Sequence, residues 1–220
     1  MDLEDQQRAA KSIAYLASVG ETEQNSKQQA IITNTLMRLL SEKIPLTFTE
    51  MNDDPGKITF GYAKAGVPGI YINKDLIPAG NQPYPKDKAN SRHVILATIP
   101  HEVSHQVNGD INKPTYEYFQ AEYRAWYIGW LAEYNREPTK QEAFDRCIDL
   151  INIYPNIQSA LFDKPEERAQ MLAFMNQMRG VPDINLQDRN KIIEFLQGRV
   201  KDGNKTAPVP DPKLNHDMDN

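Results

Sequence analysis

Apolar positions recur at helical spacing in two stretches at the start of the chain. Leu3, Ala10, Ile13, Ala14, Leu16 and Ala17 predict a first helix closed by Gly20. Ile31, Ile32, Leu36, Leu39 and Leu40 predict a second over about residues 23–43, stopped by Pro45. The period then shortens. Leu46-Thr47-Phe48-Thr49 and Ile58-Thr59-Phe60-Gly61-Tyr62 alternate, and Ile70-Tyr71-Ile72 is a third extended run. Asp54-Pro55-Gly56 and Gly66-Val67-Pro68-Gly69 read as the turns between them, so residues 45–75 predict a small antiparallel sheet.

A loop rich in Pro, Gly, Asn and Asp covers Ile77 to Lys88, and helical spacing resumes from Ser91 through Val94, Ile95, Leu96, Ile99, Val103 and Val107. Pro100 lies inside this run. It predicts either a kinked continuous helix or a new helix starting at Pro100, and the unbroken apolar stripe favours the first. Gly109 is placed to end the helix, and Thr115 to cap the next one, which runs to about Asn135. Thr139-Lys140-Gln141-Glu142 is a capping box for a helix carrying Ala143, Phe144, Cys147, Ile148 and Ile151. Pro165 opens another that ends at Gly180, and a last helix is expected over about 186–198. The elements amount to an α+β fold, mostly helical, with one domain over residues 1–200. The polar segment 201–220 carries prolines 208, 210 and 212 and is expected to be a disordered tail.

Composition removes some functions. With 220 residues, 40% hydrophobic content and 25% charge, the chain can build a sizeable core. A net charge of −5 and the lack of any dense Lys/Arg block argue against nucleic acid as a partner. No apolar run has the length of a membrane span. The acidic start, Met1-Asp2-Leu3-Glu4-Asp5, has no signal-peptide character. The single Cys147 allows no internal disulfide. The expected location is cytoplasmic, or outside the cell by way of a specialised secretion system.

The chemistry concentrates in His101-Glu102-Val103-Ser104-His105. Chance produces H-E-x-x-H in about one chain of this size in a few hundred, so the motif carries information. Residues four apart on a helix lie nearly above one another, so both imidazoles can point at one ion. Glu102 projects from the edge of the same face. Paired neutral imidazoles suit Zn²⁺ better than Mg²⁺ or Ca²⁺. A catalytic zinc keeps three protein ligands and one open position, so a third is needed. His93 is two turns upstream beyond Pro100, and His216 lies in the tail. Among Glu117, Glu122 and Glu133 on the following helix, Glu122 stands out. Its helical neighbours Phe119, Ala125 and Trp126 are apolar, and a carboxylate buried there needs a positive partner. A zinc ion is one such partner and a basic side chain another. If the two helices run antiparallel about the turn at 109–114, Glu122 lies level with the histidines.

This constellation resembles the gluzincin group of zincin metallopeptidases over about residues 58–135. The resemblance implies His101, His105 and Glu122 as zinc ligands and Glu102 as general base, with a peptide or protein as substrate. In zincins the sheet precedes the metal helix and its edge strand pairs with extended substrate. Ile70 to Asn73 is the candidate edge, although an interior strand fits the pattern equally. Trp126 stands where the thermolysin-type pattern has an aspartate, which leaves the partner of His101 unassigned. More narrowly, the chain resembles metallopeptidase toxin and effector domains of bacterial polymorphic toxins, which would imply an immunity or inhibitor protein as a partner. Donors for the oxyanion are expected among Tyr116, Tyr123, Tyr127, Arg124 and His93. A regulatory zincin cleaving one specific partner, or a non-catalytic zinc-stabilised interaction module, would share the motif. The module has no need of an acid at position 102.

Overall fold

The computed structural model describes residues 2–22, 26–41, 44–51, 58–80, 82–83, 88–111 and 113–179. In chain order these form helices α1 (Leu3–Thr22) and α2 (Ser26–Ser41), then strands β1 (Leu46–Thr49), β2 (Gly61–Lys64) and β3 (Val67–Asn73). After a 3₁₀ turn at Lys74–Leu76 come α3 (Lys88–His93), a π-helical turn (Val94–Thr98), α4 (Ile99–Asn108) and α5 (Thr115–Tyr134). Helices α6 (Lys140–Ile153), α7 (Pro155–Asp163) and α8 (Pro165–Arg179) follow. The mostly helical α+β architecture is the one the hydrophobic pattern predicts. Helix α7 was not separable in that pattern, because Pro155 opens it directly after α6. The helix expected over 186–198, the turn at 54–56 and the tail lie outside the described residues.

The sheet corrects the antiparallel expectation. Its order is β1-β3-β2, with β1 parallel to β3 and β2 antiparallel to it, so the sheet is mixed. Ile70 to Asn73 therefore lies in the central strand and cannot accept an added strand; β2 is the edge on the other side from β1. Strand β2 also begins later than Ile58, at Gly61. Ala65 and Gly66 alone make the tight turn, Gly66 at φ +70°, while Val67 already pairs with Lys64. Pro68 is compatible with this strand end because the register is irregular between Ala63 and Lys64, where one ladder bond is dispensable.

The described residues group into two compact units. One holds the described residues of 2–111 and 124–137; the other holds those of 113–123 and 138–179. In the first, Leu16, Ile32, Ile70, Ile72, Ile95 and Ile99 are fully buried between α1, α2, the sheet and the α3–α4 run. In the second, Phe119, Phe144, Leu150, Ile151, Ile157 and Leu161 are fully buried, among α6, α7, α8 and the start of α5. The capping box opens α6 as its sequence demands, with the Glu142 amide donating to Thr139 Oγ1 and the Thr139 amide to Glu142 Oε2.

The α3–α4 run explains how a proline is tolerated next to a histidine pair. Helical geometry is unbroken from Lys88 to Asn108, as the apolar stripe predicts, but the turn before Pro100 is widened to the π form. The amide of Ile99 bonds to the carbonyl of Val94, five residues back. Pro100 has no amide to offer, and in an ordinary helix its ring would press on the carbonyl four residues earlier. A wider turn relieves that collision without ending the helix. Helix α5 passes very close to this turn. A Cβ at Gly129 would lie 2.7 Å from the carbonyl oxygen of Ala97, so the approach depends on a residue with no side chain.

Candidate metal centre

His101 and His105 sit on successive turns of α4. Their Nε2 atoms converge to 3.1 Å, with the two rings edge to face at 4.8 Å between centroids. Two nitrogens bound to one tetrahedral zinc at about 2.0–2.1 Å would stand roughly 3.3 Å apart, so the spacing fits a shared ion. His105 is buried, 3% exposed, and His101 is half-buried. Glu102 is buried between them in sequence, with Oε1 3.9 Å from His101 Nε2.

The third expected ligand is on α5. Glu122 is 4% exposed, and one ligand atom from each of His101, His105 and Glu122 lies within 4.8 Å of the others. Two imidazole nitrogens and a carboxylate oxygen are a donor set suited to zinc, and a group so placed can hold a metal ion. Tyr154, at the junction of α6 and α7, donates its hydroxyl to Glu122 Oε2 at 3.0 Å, and Tyr118 also bonds this carboxylate. The two rings meet edge to face at 5.4 Å. Both phenols are held protonated far above the usual tyrosine range, first by burial and then by the charge of Glu122. Fixed as donors, they hold the Glu122 carboxylate in place.

The histidine pair has a second anchor. Gly109 ends α4 in the left-handed conformation (φ 60°, ψ 37°), its amide returning to the carbonyl of His105 at 3.0 Å. That reversal folds Asp110 back beneath the helix, where the Nδ1–H of His105 donates to Asp110 Oδ1 at 2.7 Å. Arg124 closes on the other oxygen, Nη2 to Oδ2. Gln106, next to His105, extends its Nε2 to the carbonyls of Gly69 (3.1 Å) and Val67 (3.2 Å) and so fastens the β2–β3 hairpin to α4. A cleft of about 390 Å³ opens there, lined by Lys64, Val67, Pro68, His105, Gln106 and Ile111.

The remaining sequence candidates are engaged elsewhere. His93 Nδ1 lies 2.8 Å from Oε2 of buried Glu133, and its ring packs on Phe60 with centroids 4.7 Å apart. Arg92 donates to the Glu133 carbonyl at 2.5 Å. Tyr123 is buried edge to face on Phe174, centroids 5.0 Å apart. Tyr127 donates its hydroxyl to Glu137, and its pKa is pushed up to about 12 by burial and then by that bond. Tyr116 accepts from Gln120 at 2.9 Å. Contributors missed in the sequence include Asp110, Tyr118 and Tyr154. Asp110, five residues past His105, read as a turn residue. Tyr154 is 32 residues from Glu122 in the chain and carries no local signal.

Comparison with protein-family models, curated proteins and solved structures gives no match for this chain.

Proposed function

We propose that the protein is a zinc-dependent metallopeptidase that hydrolyses peptide bonds in a polypeptide substrate. One observation carries the reading: the Nε2 atoms of His101 and His105 converge to 3.1 Å within a group that includes the Glu122 carboxylate. Beside them is an acid, Glu102, that the binding of a metal does not require. Zinc bound by His101, His105 and Glu122 would supply Lewis acidity and make a water at the open position easier to deprotonate. Glu102 then has the work of a general base. Its carboxylate takes a proton from the water that attacks the carbonyl carbon, and it returns that proton to the amine that leaves.

Recognition of the main chain falls to β2. Gly61–Lys64 is an outer strand of the sheet and packs against α4, so an extended substrate can add to it by backbone hydrogen bonds. The test is cleavage of an unstructured protein by zinc-loaded wild type, by chelated wild type and by Glu102→Gln. Loss of cleavage in the last two, with zinc retained by Glu102→Gln, supports the peptidase. Equal cleavage by wild type and Glu102→Gln overturns it.

A further inference from the structure

We propose that Asp110 is the positioning residue for His105 and that Arg124 holds Asp110 to that task. The inference rests on the metal reading above, and on neither the substrate nor the reaction. An ionised carboxylate only accepts hydrogen bonds, so its 2.7 Å contact fixes the proton of His105 on Nδ1. The lone pair is then on Nε2, the atom that faces His101 Nε2 at 3.1 Å. Asp110 thus sets the tautomer and the ring angle that binding needs.

The aspartate is itself placed by two features. The left-handed turn at Gly109 delivers it, and burial to 4% exposure makes an uncompensated charge there costly. Arg124 meets that cost by closing on Oδ2, so each carboxylate oxygen has its own partner and the plane cannot rotate. Arg124 stands two residues past Glu122 on α5. One turn of that helix therefore supplies both the carboxylate ligand and the clamp on the residue that orients His105.

The experiment is a zinc competition titration of the full chain against a chelator of known affinity, with the melting temperature of each metal-free protein measured alongside. Asp110→Asn, which keeps the shape but removes the charge, is expected to bind zinc about 10- to 100-fold more weakly. Its metal-free melting temperature should stay within a few degrees of wild type. Asp110→Glu should recover part of the affinity, which a purely structural contact would not predict. Arg124→Gln changes a half-exposed side chain and should weaken binding by roughly two- to fivefold. If Asp110→Asn fails to fold, Arg124→Gln decides, and unchanged affinity there overturns the proposal. Wild-type affinity in a folded Asp110→Asn overturns the assignment of Asp110 alone. A wild-type chain that takes up no zinc overturns the metal reading, and this inference with it.

Discussion

Glu102 and Glu122 are both buried acids beside the histidine pair, and they are assigned opposite duties. Glu122 shares a ligand group with the imidazoles, whereas Glu102 approaches His101 Nε2 only to 3.9 Å. Glu102→Gln is accordingly expected to keep its zinc and lose about 10²- to 10⁴-fold in turnover, as read by peptide cleavage alongside metal analysis. At a third site, burial pushes the thiol of Cys147 up to about 12. The native protein should resist alkylation at neutral pH and react only once unfolded, which mass analysis with and without denaturant will show. The helical spacing of four made His101, Glu102 and His105 legible in the sequence, and the apolar neighbours of Glu122 singled it out from Glu117 and Glu133. Asp110 was hidden because an aspartate after a helix-ending glycine is ordinary turn chemistry. Its role exists only once the left-handed turn has folded it under His105.

Between elements, two glycines do different work. Gly129 lets α5 approach the π turn so closely that a Cβ would meet backbone, which cannot move aside as a side chain could. Gly129→Ala should therefore destabilise the protein by about 1–3 kcal/mol in denaturant unfolding, the range for overpacking. Gly109 has open space where its Cβ would be, so Gly109→Ala meets only the conformational penalty of the left-handed region, about 1–2 kcal/mol. A Gly129→Ala protein as stable as wild type would show that the approach is adjustable. Periodicity placed nearly every described helix and located three strands, and the apolar stripe around Pro100 pointed to the continuous run that is found, though not to the π turn within it. Strand order was beyond its reach. Alternation records which residues face the core, but the parallel pairing of β1 with β3 is made by residues more than 20 apart in sequence.

For the whole molecule, a ligand that binds only the folded state adds stability. Zinc at 100 times its dissociation constant should add about 2.7 kcal/mol and raise the melting temperature, and a chelator should reverse the gain. No described helix is long and apolar enough to cross a membrane. The central claim is that His101, His105 and Glu122 together bind one zinc ion, and elemental analysis of purified wild type, Glu102→Gln and Glu122→Ala tests it most directly. About one zinc per chain is expected in the first two proteins and little or none in the third. Full occupancy in Glu122→Ala, or no zinc in wild type, would contradict it.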